Sequence, residues 1–199
     1  MENAFLKSIL KRRSFYNLGK KLPINNSELV KEIAEALKNT PSAFNSQSAR
    51  VVLLLGDNHH KLWNITKECL KKIVPADKFP ATENKIASFA AAYGTILYFE
   101  EEKTIQKLQQ DFPLYKENFP VWGQQANGML QFVIWTMLAE QNIGASLQHY
   151  NPLIDDEVKK TWNLPQSWKL IAQMPFGSMT APAGDKTFLP IEERLRIFD

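Results

Sequence analysis

The chain has 199 residues, of which 24 are lysine or arginine and 21 are aspartate or glutamate, giving a formal net charge of +3. So small a surplus excludes the broad basic surface of a typical nucleic-acid-binding protein, and 44% hydrophobic with 23% charged residues is ordinary for a globular chain. The single cysteine, Cys69, excludes an internal disulfide framework.

We expect a single domain covering residues 1–199, which is long enough to bury a hydrophobic core. The N-terminus carries an acidic residue and too short an apolar run for a signal peptide, and no apolar segment reaches the ~18 residues of a membrane span. The sequence therefore predicts a cytoplasmic protein without nucleic-acid or membrane partners.

Apolar residues recur at helical spacing over residues 2–12 and predict a short amphipathic helix. It runs into Lys11-Arg12-Arg13-Ser14, which we call the N-terminal basic segment. Arginine forks and a serine hydroxyl suit an anion such as phosphate. A solvated basic helix end, stabilised by the helix dipole, explains the same residues, and from this segment alone that simpler reading is favoured.

A capping signature, Asn25-Asn-Ser-Glu28, predicts a second helix, which Pro41 brings to an end. Residues 40–50, which we call the polar loop, are mostly small or hydrogen-bonding and lead into a buried strand over residues 50–55. Two readings remain open for the loop. It is an ordinary helix-to-strand connection, or it presents ligand-binding groups from a rigid scaffold.

Apolar periodicity in the middle of the chain predicts a helix ending before Pro75, further helical turns over residues 86–90, a strand over 94–100 and a surface helix and loop over 101–122. His59 and His60 are adjacent, so they point in different directions on a helix, and no cysteine or carboxylate supplies zinc spacing; we predict no metal site. Cys69 lies on an amphipathic helix with no base beside it, which indicates packing.

The longest helical candidate covers residues 124–142 and is apolar nearly all round. Such a helix must be buried on every side, either as the central core helix or as half of a dimer interface. Gly144 stands where a helix C-cap favours glycine. Beyond it the pattern predicts a short strand over residues 145–149, a helix from Asp155, a strand over 168–174 ended by Pro175-Phe-Gly177, and an extended tail over 181–190.

The chain contains no hydrolase-type nucleophile motif, no phosphate-binding P-loop and no Gly-x-Gly-x-x-Gly. Composition and periodicity alone therefore predict an α+β domain with a buried helical interface, and they name no activity.

Four segments, far apart in the chain, carry motifs that occur together in one protein family. Arg12-Arg13-Ser14 is an Arg-x-Ser motif after an N-terminal helix, and Pro41-Ser-Ala-Phe-Asn-Ser-Gln47 is a Pro-Ser-x-x-Asn-x-Gln loop. Lys186-Thr-Phe-Leu-Pro190 is a basic segment ending in Leu-Pro, and the stretch 142–149 follows the long apolar helix. In this order the four segments resemble the FMN-dependent nitroreductase family, in which the last stretch corresponds to the flavin-side strand. The chain looks most like the compact branch with the yeast fatty-acid-repression proteins and a copper-induced bacterial nitroreductase.

This resemblance implies an antiparallel-dominated sheet flanked by helices, in an intertwined homodimer whose C-terminal arms are exchanged. It implies an FMN-dependent NAD(P)H oxidoreductase that reduces nitroaromatic, quinone or related acceptors by two-electron ping-pong transfer. The flavin performs the chemistry, so no side chain is assigned as catalytic. The alternative that the resemblance leaves open is a flavin-binding regulatory or stress- and lipid-signalling module with little turnover.

The resemblance also assigns the FMN-binding residues, which come from both ends and the middle of the chain. Phosphate contacts are implied for Arg12, Ser14 and Lys186, with Arg13 adjacent, and contacts with the ring or ribityl chain for Ser42, Asn45, Gln47, Gln148 and His149. Tyr16 and Phe188 stand where many relatives have a cation, so two outcomes are open: Arg13 or Arg50 compensates at the phosphate, or FMN binds more weakly.

Overall fold

The computed structural model describes residues 3–198, which form seven α-helices and five β-strands. The helices are Ala4–Lys11 (α1), Asn26–Asn39 (α2), Asp57–Lys71 (α3), Phe79–Ala90 (α4), Glu102–Asp111 (α5), Asn118–Glu140 (α6) and Asp155–Thr161 (α7). The strands are Leu18–Gly19 (β1), Ala49–Leu55 (β2), Gly94–Glu101 (β3), Gly144–Ala145 (β4) and Trp168–Met179 (β5). Within the described range, no helix has the length and apolarity needed to cross a membrane.

The strands form one sheet in the order β1-β5-β3-β2, with β4 also pairing with β5, and every strand pair is antiparallel. Strand β3 lies at its centre. Successive side chains of a strand point to opposite faces, and accordingly Ile96 and Tyr98 join one core while Leu97 and Phe99 join the other. The predicted α+β class with an antiparallel sheet is confirmed.

Helices cover both faces of this sheet, so each face has its own core. On one face α2 and α6 pack against β3 and β5 around Leu29, Ile134 and Phe176. On the other face α3, α4 and α7 pack around Trp63, Phe89 and Val158. Because α6 lies directly on the sheet, its position determines where the flanking loops present their side chains.

The predicted end of the last strand at residues 175–177 is wrong. Strand β5 continues to Met179, because both β1 and β4 pair with its second half. A Cβ on Gly177 would lie 2.1 Å from the carbonyl oxygen of Gly19. The glycine therefore permits close approach of β1 and does not end the strand.

Helix α6 differs from its prediction at both ends. It begins at Asn118, six residues before the predicted start, since Pro120 lies in the first turn, where its missing N–H is tolerated. The left-handed residue after the helix is Asn142, with φ of 57°, and Gly144 belongs to β4. The predicted strand over 145–149 is reduced to β4 and an isolated bridge at Gln148.

Candidate functional site

The N-terminal basic segment lies at the end of α1, against the side of α6. Arg12 caps α1, and its Cζ lies 4.4 Å from the ring centre of Trp135. Burial, followed by the charge of Arg13, lowers the pKa of Arg12. Among residues 3–198, neither arginine has a carboxylate within salt-bridge distance. Arg12 and Arg13 are thus two adjacent cations without a carboxylate partner among the described residues, and Arg12 is partly desolvated. Such a pair suits a bound anion.

The same segment is tied to the C-terminal tail and to the sheet. Arg13 donates a hydrogen bond from Nη2 to the carbonyl oxygen of Gly184. Ser14 forms a bridge with Ala145 of β4. The structure thus brings the predicted residues Arg12, Arg13 and Ser14 beside the segment that carries Lys186. The Lys186 ammonium itself is exposed and lies 4.9 Å from the ring centre of Phe188.

Gln148 and His149 follow β4 and differ in their exposure. The backbone N–H of Gln148 donates to Gln173 of β5 at 2.7 Å, and its buried side chain donates to Ser146 at 3.1 Å. His149 is exposed and lines a groove of about 690 Å³ beside α6, together with Asn151, Lys169 and residues of α6 between Pro120 and Gln131. Because the backbone N–H and side chain of Gln148 are bonded within the chain, His149 is the residue of this pair that can donate to a ligand.

The polar loop is folded around Ser42. The Ser42 hydroxyl oxygen accepts the backbone N–H of Gln47 at 3.0 Å, and Arg50 donates to the Gln47 carbonyl at 2.7 Å. Asn45 and Gln47 have positive φ, of 49° and 47°, a conformation that Asn tolerates better than most residues. Ser42 and Gln47 line a cavity of about 330 Å³ between the loop, α2 and α6.

Phe44, in the same loop, was missed as a structural determinant by sequence reasoning. It also has positive φ, of 55°, which is an outlier for a bulky side chain. Its ring contacts four other aromatic rings at centre distances of 4.8–6.2 Å: Phe112, Tyr115, Phe119 and Trp122. These contacts offset the backbone strain. No local pattern reveals them, because the partners are separated from the loop by about seventy residues.

The inner face of α6, which packs on the sheet through Leu130, Ile134 and Leu138, is apolar except for one polar section. Asn127 donates to the Phe99 carbonyl at 3.0 Å and to Oε2 of Glu100 at 3.3 Å, and accepts a bond from Gln131 at 2.7 Å. Glu100 is 4% exposed, and its Oε1 has no hydrogen-bond partner within residues 3–198. Desolvation raises the pKa of Glu100, against the lowering effects of Ser48, Asn127 and Arg50.

The histidine pair is not arranged as a metal site. Buried His59 lies with Nδ1 2.9 Å from the Thr95 hydroxyl and Nε2 3.3 Å from the Ala90 carbonyl oxygen. Burial lowers the pKa of His59 to about 4, so the ring is neutral at pH 7. His59 is therefore part of the packing between α3, α4 and β3.

Helix α6 separates the predicted site residues into two sets. At about 100° per residue, Gln124, Gly128, Gln131 and Trp135 lie within roughly 60° of each other on one side. That side faces the His149 groove and Arg12. Ala126 and Leu130, which line the polar-loop cavity, lie roughly 140–180° around the helix from Trp135. Within one chain, Arg12, Arg13 and Ser14 therefore lie beside the tail, and His149 lies on the same side of α6. Ser42 and Gln47 lie on another side of this helix, in the loop that also carries Asn45.

Comparison with known proteins identifies relatives over almost the full chain. The sequence model of the nitroreductase family matches residues 9–178. The nitroreductase FRM2 of Saccharomyces cerevisiae is 34% identical over 190 residues, which cover 93% of both chains. The resemblance predicted from the separated motifs is confirmed.

Solved structures agree with the fold. The nitroreductase CinD from Lactococcus lactis, in complex with chloramphenicol, superposes with a TM-score of 0.91 at 44% identity, covering 98% of this chain and 100% of that one. A nitroreductase with bound FMN from Desulfitobacterium hafniense superposes with a TM-score of 0.72 at 17% identity, covering 100% of each chain. The second likeness shows that the same fold extends to distant sequences.

Proposed function

Since this chain belongs to the nitroreductase family, we propose that it is an FMN-dependent NAD(P)H oxidoreductase acting as a homodimer. When bound, FMN would supply the two-electron, ping-pong chemistry between NAD(P)H and a nitroaromatic, quinone or related acceptor. The protein binds and orients the cofactor and shields it from water. We expect it to act in the cytoplasm.

The observation that carries this proposal is the separation of the candidate residues by α6. A flavin mononucleotide is elongated, with a phosphate at one end and a flat ring at the other. A single chain presents the basic segment and His149 on one side of α6 and the polar loop on another. In a two-fold dimer, the polar loop of one subunit reaches the ligand held by Arg12 and His149 of the other.

The basic segment suits the phosphate end. A phosphate monoester carries close to two negative charges at pH 7, and each charge-assisted hydrogen bond contributes roughly 1.5–3 kcal/mol. Arg12, Arg13, Ser14 and Lys186 provide the cations and the hydroxyl. Arg50 instead donates to carbonyl groups of the polar loop, so Arg13 is the residue that compensates for the missing cations at Tyr16 and Phe188.

The ring end is assigned to the groove and to the polar loop of the partner. His149 is exposed, and we assign its imidazole and backbone N–H as donors beside the ring. Gln148 supports that turn through its bonds to Gln173 and Ser146. Ser42, Asn45 and Gln47 supply hydroxyl and amide groups for the ribityl chain and the polar ring edge. Donors near that edge stabilise negative charge on a reduced flavin.

Exposed apolar side chains support the homodimer. Contiguous apolar surface on a soluble protein marks an interaction site. Such side chains, between 39% and 94% exposed, occur on α1, on the outer face of α6 and along the C-terminal tail: Phe5, Leu6, Leu10, Val121, Met129, Val133, Phe188, Leu189, Ile191, Leu195, Ile197 and Phe198. Over its described residues, 181–198, the tail forms no strand in its own sheet, which favours its exchange onto a partner.

The comparisons support the cofactor and the class of acceptor. FMN is bound by the nitroreductase from Desulfitobacterium hafniense, and chloramphenicol, a nitroaromatic compound, by CinD from Lactococcus lactis. For this chain we propose FMN as cofactor and nitroaromatic compounds as acceptors.

A flavin titration tests the proposal directly. At a hundred times the dissociation constant, FMN should add about 2.7 kcal/mol to the free energy of unfolding, seen as a rise in melting temperature. Arg12→Ala and Lys186→Ala should each weaken this effect. A colourless protein whose melting temperature does not respond to FMN would contradict the proposal.

Turnover separates the enzyme from a flavin-binding module. We expect steady oxidation of NADH or NADPH that depends on added chloramphenicol, with the bound flavin bleaching under anaerobic NAD(P)H before the acceptor is added. Tight FMN binding without acceptor-dependent oxidation would leave the regulatory function instead.

A further inference from the structure

We infer that Trp135 is a positioning residue, whose ring holds the Arg12 guanidinium in place for the phosphate of the flavin. The inference rests on the proposed function, because it assigns Arg12 to that phosphate. Trp135 is a residue of α6 and belongs to none of the motifs that point to the flavin.

The end of α1 is held against α6 by two adjacent contacts. Lys11 donates from Nζ to the carbonyl oxygen of Glu140 at 3.0 Å, and the Cζ of Arg12 lies 4.4 Å from the Trp135 ring centre. The second distance is well inside the ~6 Å range of cation–π attraction. A long, flexible side chain at a helix end would otherwise sample many rotamers, and the ring restricts Arg12 before a ligand arrives.

The type of contact matters for anion binding. Arg12 is partly buried beside the like charge of Arg13, and this lowers its pKa. A neighbouring carboxylate would stabilise the guanidinium but would occupy the N–H donors that a phosphate needs. The negative face of an indole ring stabilises the cation without accepting those bonds. Trp135 therefore holds Arg12 in place and leaves its N–H donors available.

The structure provides a matched pair of substitutions at this position. The indole Nε1 of Trp135 is buried without a hydrogen-bond partner within residues 3–198. Trp135→Phe keeps an aromatic face and removes a donor that is unpaired there, so it should fold well. Trp135→Leu keeps an apolar side chain and removes the aromatic face.

The experiment measures the dissociation constants of FMN and of riboflavin, which lacks the phosphate, by quenching of flavin fluorescence. Trp135→Leu should weaken FMN by roughly 2- to 30-fold, the range of a cation–π contact. Riboflavin should change by less than about twofold, because the ring acts through Arg12 on the phosphate alone. Trp135→Phe should keep most of the FMN affinity.

A double-mutant cycle shows whether Trp135 acts through Arg12. In an Arg12→Ala background, Trp135→Leu should have no further effect on FMN binding, because the residue it positions is absent. Additive losses in the cycle, equal losses of FMN and riboflavin, or a Trp135→Phe protein as weak as Trp135→Leu would overturn the inference. A wild-type chain that binds neither flavin would overturn the proposed function itself, and the inference with it.

Discussion

The two long faces of α6 differ in what covers them, although both are apolar. On the inner face Leu130, Ile134 and Leu138 are at most 1% exposed, because the sheet and α2 cover them. On the outer face Val121, Met129 and Val133 are between 39% and 54% exposed. The hydrophobicity of a helix face therefore indicates that its burial is favourable. Only the tertiary structure shows which face of α6 is buried by the rest of the same chain.

The different exposure of the two faces explains why the prediction for α6 was incomplete. From the sequence, a helix that is apolar all round was expected to be either a central core helix or half of a dimer interface. The inner face of α6 packs in the core, as the first alternative predicts. Its outer face is the place where we propose that a second copy packs. Four experiments test this division of the helix.

The largest effect is expected from Val133→Arg on the outer face. A charge buried without a partner in the proposed interface costs roughly 3–5 kcal/mol, so the dimer dissociation constant should rise by at least about a hundredfold. Analytical ultracentrifugation measures it, and FMN binding should be lost in parallel. Ile73→Arg, at another apolar position that is 63% exposed, is the control and should leave association unchanged. A wild-type protein that is monomeric at micromolar concentration would contradict this prediction.

The next effect is expected from Ile134→Ala, one residue along on the inner face. Removing a fully buried isoleucine side chain should lower the free energy of unfolding by about 2–5 kcal/mol, through lost burial and the cavity left behind. Denaturant unfolding of the isolated subunit, made monomeric by Val133→Arg, measures this loss. In that background Met129→Ala should cost less than about 1 kcal/mol, and equal losses would show that the faces do not differ.

A smaller effect concerns the polar section of the inner face, where Asn127 meets Glu100. Desolvation raises the pKa of Glu100 above 4.5, so the folded state holds this proton more tightly than the unfolded state does. The contribution of Glu100 to the free energy of unfolding is fully present below pH 4.5 and is lost as the pH rises through its folded-state pKa. Glu100→Gln should therefore raise the melting temperature relative to wild type more at pH 8 than at pH 4.5.

Neighbouring Glu101 provides a control with the opposite sign. Burial acts to raise its pKa, but hydrogen bonds from Ser167, the Lys103 N–H and Trp168 outweigh it, and the pKa of Glu101 is lowered. Its contribution is therefore lost as the pH falls, so Glu101→Gln should be most destabilising near neutral pH. Arg50, Glu102 and Lys169 also lie near this pair, and the same pH trend in both variants would show that they dominate the titration.

The smallest effect is expected from the two glycines of α6. Gly128 has nothing within 4 Å of an added Cβ, so Gly128→Ala should stabilise the subunit by about 0.5–1 kcal/mol through helix propensity. At Gly123 the added Cβ would lie 2.8 Å from Oε1 of buried Glu100 and 3.0 Å from Ile105. Gly123→Ala should destabilise it, since overpacking outweighs the propensity gain. Thermal unfolding of both variants should give shifts of opposite sign.

Local patterns predicted much of the secondary structure. Asn25 and Glu28 form the capping box that the spacing indicated, with Glu28 N–H to Asn25 at 3.0 Å and Asn25 N–H to Glu28 at 3.1 Å. Such bonds join residues within one helical turn, so the sequence contains all the information they need. The end of β5 was mispredicted at Gly177 because the cause, the approach of Gly19, comes from the opposite end of the chain.

By itself the sequence determined the α+β class, the principal helices and strands, and, through the order of its separated motifs, the family. Those features depend on periodicity, capping and residue identity, which can be read from residues close together in the sequence. Only the tertiary structure decided that Arg12 lies over Trp135, that Phe44 packs against four other rings, and that α6 places the two sets of candidate site residues on different sides. These facts depend on contacts between distant segments, which form only when the helices pack on the sheet.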